Sequence, residues 1–176
     1  MNLRLYWENI IDYFEEEEWP LYEMDNENKT AVTYVRGDNA TFRLFVWLDG
    51  ESKVLNLGWF YPSNIPANKR HSVLDLLNRL NYRFIIGKLV MNPESGGLAL
   101  RMSVSVDGTR FSVGQFDSSI NWGIWLADEF YPKFMSLIYG DYTVDEVLEG
   151  KEKPQLRLVE KAEEQGELFE EDEART

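Results

Sequence analysis

Residues Ala40–Phe60 read ATFRLFVWLDGESKVLNLGWF, two apolar runs on either side of Asp49-Gly50-Glu51-Ser52. Asp and Gly between such runs signal a turn, so a hairpin is expected with strands at 41–48 and 54–60. Side chains alternate across a strand. Phe42, Leu44, Val46 and Leu48 therefore share one side of the first strand, and Arg43, Phe45 and Trp47 share the other. Both sides carry apolar groups that need cover. Helices are expected over one side and a second molecule over the other. Arg43, Phe45, Trp47 and Trp59 are the candidate interface residues.

On the N-terminal side, Leu3, Trp7, Ile10, Ile11 and Phe14 recur at helical spacing and predict an amphipathic helix of about four turns. Glu15–Glu18 crowd its C-terminal end and Trp19-Pro20 stops it. Residues 21–25 and 30–36 predict a first hairpin around Asn26-Glu27-Asn28-Lys29.

On the C-terminal side, a second helix is expected from Asn64 as its cap, with Pro66 in the first turn and Val73, Leu74, Leu77 and Leu80 as its buried stripe. Strands at 84–92 and 97–107 follow, joined by Pro93-Glu94-Ser95-Gly96. In the second, Leu98, Leu100, Met102, Val104 and Val106 alternate with Ala99, Arg101, Ser103, Ser105 and Asp107, the pattern of a half-solvated strand. Ser112 and Gln115 match a capping box, with Phe111 and Phe116 placed as a hydrophobic staple. From there Phe116, Ile120, Ile124, Ala127, Tyr131 and Ile138 predict a third helix ending at Gly140, weakened or kinked at Gly123 and Pro132. The expected fold is α+β: an antiparallel sheet packed by helices in the order α-ββββ-α-ββ-α. Residues 1–140 form the expected domain, and 141–176 an acidic tail that is disordered or partly helical, with one or two helical turns over Thr143–Leu148.

The chain of 176 residues carries a formal net charge of −13, with thirteen acids against five bases in residues 141–176 alone. Nucleic acid and anionic membranes demand cationic surface, so neither is expected as a partner. The chain holds no cysteine, which excludes disulfides and thiolate metal sites. Met1–Phe14 carries Glu8 and Asp12 and lacks the apolar core of a signal peptide, and no run approaches the roughly 20 apolar residues of a membrane span. A cytoplasmic protein is expected.

No catalytic constellation emerges. His71 is the single histidine, three residues before Leu74, and reads as a surface residue. Asp25-Asn26-Glu27-Asn28 lacks the glycine and the distal glutamate of a calcium loop, so it reads as a polar turn. Glu15–Glu18 reads as a solvated helix end. Trp7, Trp122 and Trp125 fall in helical patterns and are expected in the core. Leu156, Leu158, Val159 and Leu168-Phe169 are isolated apolar positions in the acidic tail. No enzyme activity, cofactor or metal is expected.

Several stretches carry a resemblance. Leu76-Leu77-Asn78-Arg79-Leu80-Asn81, then Gly87-Lys88-Leu89 and Asn92-Pro93-Glu94-Ser95-Gly96-Gly97, are similar in content and order to the YbjN-like family of bacterial sensory-transduction regulators. Phe130-Tyr131-Pro132-Lys133-Phe134-Met135 and Ile138-Tyr139-Gly140 resemble its closing helix. The resemblance spans roughly residues 3–140. It implies a fold similar to that of type III secretion chaperones, frequent self-association, and no catalytic residue to carry over. The function expected is a non-enzymatic protein-binding or regulatory module, a homodimer with a protein or peptide partner. The alternative is a small-molecule-binding or enzymatic domain with a pocket between helices and sheet.

Overall fold

The computed structural model describes residues 2–150; the part of the expected acidic tail after Gly150 lies outside the described residues. Six antiparallel strands form one sheet: β1 (Glu23–Asp25), β2 (Thr30–Arg36), β3 (Thr41–Asp49), β4 (Val54–Asn64), β5 (Lys88–Met91) and β6 (Gly97–Ser105), in the spatial order β1-β2-β3-β4-β6-β5. Helices α1 (Leu3–Glu16), α2 (Arg70–Asn81), α3 (Val113–Tyr139) and α4 (Val144–Glu149) complete the fold. The α+β class and element order follow the expected pattern, and α4 falls where one or two helical turns are expected over Thr143–Leu148.

Local chemistry explains most boundaries. Asn2 caps α1 by accepting the backbone N–H groups of Arg4 and Leu5. That helix stops where Glu18 turns left-handed (φ 56°) and the Trp19 N–H donates to the Phe14 carbonyl. Ser112 caps α3 as expected, and the Phe111 and Phe116 ring centroids lie 5.4 Å apart. Thr143 and Glu146 build a capping box on α4, whose Val147 is buried against the core.

The expected start of α2 is corrected. Asn64 stays in β4, paired with Gly97, and the Ile65 N–H donates to the Gly96 carbonyl, so the sheet keeps this backbone extended. Pro66 is extended as well, a 3-10 turn follows at Ala67–Lys69, and α2 begins at Arg70 without a side-chain cap. The buried stripe, set by packing on β5, α3 and α4, also differs from the expected one. Val73, Leu76, Leu77 and Leu80 are buried, whereas Leu74 is half exposed. Residues 84–87, expected in a strand, precede β5 as an irregular turn with Gly87 left-handed (φ 80°).

The helices cover one side of the sheet. Phe42, Leu44, Val46 and Leu48 of β3, Leu55, Leu57, Trp59 and Tyr61 of β4, and Leu98, Leu100 and Met102 of β6 form the core with them. Helix α3 packs on β4 and β6, α2 on β5, and α4 on both α2 and α3. Helix α1 joins through aromatic edges: Tyr13 and Phe14 each meet Phe116, at 5.0 and 5.9 Å between ring centroids.

Helix α3 runs unbroken through Gly123 and Pro132. Pro132 has no N–H to offer the Asp128 carbonyl one turn earlier; the Asn39 side-chain amide donates to that oxygen at 3.4 Å. Gly123 is where the helix backbone meets the flat of the Trp59 indole. Val104 of β6, expected in the buried row, is half exposed.

Candidate functional site

The face of the sheet turned away from the helices is the candidate site. Cross-strand register places Arg43 opposite Phe60, Phe45 opposite Gly58, and Trp47 opposite Asn56. On either side of these, Phe45 faces Val32 and Gly58 faces Arg101. Because directly opposed residues share a face, Arg43, Phe45, Trp47 and Phe60 form one patch. Phe45 and Trp47 stack at 5.1 Å with 26° between ring planes. The Arg43 guanidinium lies 5.7 Å from the Phe45 ring centre and 5.9 Å from that of Phe60, and Arg101 lies 5.9 Å from Trp47. Two cations thus clamp three aromatic rings.

All four patch residues remain partly exposed. Beneath them the Phe60 ring leans over Gly58, so an added side chain there would press on it, while the Trp47 ring sits at ordinary contact distance. Arg43 also approaches Glu23 at 3.7 Å, an exposed pair of small energetic weight. At the margin, the Ser103 hydroxyl donates to Asn56 Oδ1 at 2.7 Å.

Of the four sequence candidates, Arg43, Phe45 and Trp47 lie together here and Trp59 does not. Trp59 pairs with Leu44, on the helix-covered side, and is fully buried. The alternation Leu55-Leu57-Trp59-Tyr61 carries that signal, and the same alternation turns Phe60 outward as the aromatic member the sequence reading missed. Trp122 and Trp125, expected in the core, are 46% and 53% exposed on the outer side of α3, with rings 4.8 Å apart. A further apolar exposure follows α2, where Tyr82 and Ile85 project almost wholly into solvent.

The chemistry available elsewhere is structural. Asp128 is the one buried charged residue among those described. Its carboxylate accepts the backbone N–H groups of Asp38, Asn39 and Ala40 and the Asn39 side-chain amide, between 2.9 and 3.1 Å. Those donors saturate it and fix the β2–β3 turn onto α3. The Tyr61 hydroxyl donates to the Ala127 carbonyl, and burial, with the Asp128 charge nearby, pushes its phenol well up. Burial likewise raises Tyr13, whose hydroxyl donates to Asp117. A cleft of about 530 Å³ lies between α1 and the β1–β2 turn, lined by Trp7, Ile11, Asp12, Asn26 and Lys29 among others. Within it the Trp7 indole donates to Asn26 and Arg4 pairs with Glu8. His71 is exposed on α2. Among the described residues, no helix is long and apolar enough to cross a membrane.

No curated protein matches the sequence. Among solved structures, the crystal structure of YbjN from E. coli is similar with a TM-score of 0.53 at 11% identity, covering 69% of this chain and 85% of that one. The HopA1-SchA chaperone-effector complex gives a TM-score of 0.48 at 19% identity, over 73% of this chain and 94% of that one. The ExsC-ExsE complex gives 0.46 at 14% identity, over 68% and 85%. The family model described as "Putative bacterial sensory transduction regulator" matches residues 7–136, most of the described fold, and the chain therefore belongs to the YbjN family.

Proposed function

We propose that the protein is a non-enzymatic protein-binding or regulatory module that works in the cytoplasm as a homodimer, with Arg43, Phe45 and Trp47 at its contact surface. The observation that carries this reading is the open sheet face, where three aromatic rings and two arginines stand with none of the described helices over them. Aromatic residues and arginine are the groups that contribute most where protein surfaces meet. Membership of a family of regulators is in keeping with it. The alternative, a small-molecule or enzymatic site, has the cleft beside α1 in its favour. Its charged groups are spread along an open groove, and the buried carboxylate, Asp128, is already saturated.

Light scattering at micromolar concentration tests the proposal. The wild-type chain should give twice its 20.7 kDa mass, and Phe45→Ser with Trp47→Ser should give a folded monomer. A monomeric wild type, or a double variant that still dimerises, would overturn it.

A further inference from the structure

We infer that a second copy of this chain seats on the open face about a two-fold axis parallel to the strands, so that Lys88 of each copy meets Glu23 of the other. This rests on the reading of the face as a self-association surface and adds its register.

Pairing across the sheet aligns one row of six residues on the open face: Lys88, Arg101, Gly58, Phe45, Val32 and Glu23. The row is polarised. Lys88 and Arg101 stand at one end, and neither has an ion-pair partner among the described residues. Glu23 stands at the other end, its side chain 68% exposed, and among the described residues its one ion pair is the 3.7 Å approach to Arg43. The next row runs Ala99, Phe60, Arg43 and Tyr34.

A two-fold axis between two stacked sheets can run across the strands or along them. Across the strands, it lays the cationic end of one copy over the cationic end of the other, a like-charge juxtaposition that disfavours association. Along the strands, it exchanges the ends. The sheet order β1-β2-β3-β4-β6-β5 puts its midline between β3 and β4. About that midline Lys88 faces Glu23, Phe60 faces Arg43, Arg101 faces the buried Val32, and Phe45 faces Gly58, over which the Phe60 ring of the same chain leans. The face is thus complementary to itself in charge at its two ends and in cation–aromatic pairing at its centre, as an isologous contact requires. The strands hold 3, 7, 9, 11, 4 and 9 residues, which at about 4.8 Å between strands and about 3.3 Å along them give a face of roughly 700 Å², close to the ~800 Å² per partner of a standard interface.

Reversing one charge at a time separates this register from dimerisation as such. Lys88→Glu alone sets carboxylate against carboxylate at both symmetry-related contacts, and Glu23→Lys alone sets ammonium against ammonium at both. Each variant should raise the dimer dissociation constant about tenfold or more. An equimolar mixture should form a heterodimer held by one doubly reversed contact within reach of each variant's partner charge only if the register is right, so its recovery is the sharper readout. In that heterodimer one contact joins the two introduced side chains, glutamate to lysine, and the other joins the two native ones, lysine to glutamate. Both are then opposite-charge pairs, and the affinity should return to that of the wild type, read by native mass spectrometry and light scattering. Both positions are exposed, and circular dichroism checks the fold of each variant. The neutral pair Lys88→Gln and Glu23→Gln should weaken the dimer less and should not rescue each other. A monomeric wild type would overturn both the self-association reading and the register. A dimeric wild type whose reversals are harmless, or do not rescue each other, would overturn the register alone.

Discussion

The Trp59 indole lies flat against the backbone of Gly123, leaving no room for a methyl group between β4 and α3. Substituting alanine for glycine within a helix ordinarily stabilises it by about 1 kcal/mol. Here the new Cβ would overlap three indole carbons, and Trp59 is fully buried with nowhere to move. Overpacking wins. Gly123→Ala should destabilise by about 1–3 kcal/mol in urea denaturation. Trp59→Phe in the same chain should recover part of the loss, since the two sites touch. It also removes the Trp59 N–H, which is buried without a hydrogen-bond partner.

Asp128 is the anchor of the β2–β3 turn. Asp128→Ala strands three backbone donors and the Asn39 amide in a half-enclosed site. The cost should be about 2–4 kcal/mol, and hydrogen exchange should quicken at Asp38, Asn39 and Ala40 ahead of the core strands. Unchanged exchange there would mean that the turn holds without the carboxylate.

Asn81 guards the free edge of the sheet. Its side-chain amide donates to the Leu89 carbonyl at 2.9 Å and accepts the Leu89 N–H at 2.8 Å, occupying both backbone groups of that β5 residue. Asn81→Ala exposes that edge and should cost about 1–2 kcal/mol. Light scattering on concentrated samples should also reveal higher-order species that the wild type lacks.

Acid should loosen the long hairpin. Asp49 accepts from the Ser52 side chain and from the backbone N–H groups of Ser52 and Glu51, which holds its carboxyl below the ordinary 3.8. A group whose folded pKa is depressed contributes stability above its unfolded pKa and loses it as pH falls through the folded value. Asp25 and Asp107 shift in the same direction. The melting temperature should therefore fall as pH drops below about 4. Asp49→Asn, which keeps an acceptor but cannot titrate, should show a shallower fall than wild type. Parallel curves would remove Asp49 from the account.

The α+β class, the strand alternation, the hairpin turns and the cap at Ser112 are legible along the chain, because each depends on residues a few positions apart. Alternation also decides that Arg43, Phe45 and Trp47 lie together. What depends on distant neighbours emerges only on folding. Ile120, Trp122, Ile124, Trp125 and Leu126 make α3 apolar nearly all round. Only its packing on β4 and β6 selects which of these are buried, and it leaves both tryptophans outside. Leu74, Leu76 and Leu77 likewise allow two stripes on α2, and packing against β5, α3 and α4 selects one. Asp128 meets its donors across 88 to 90 residues, and Gly123 meets Trp59 across the gap between helix and sheet. Such contacts have no local pattern, because chain folding, and not spacing along the sequence, creates them.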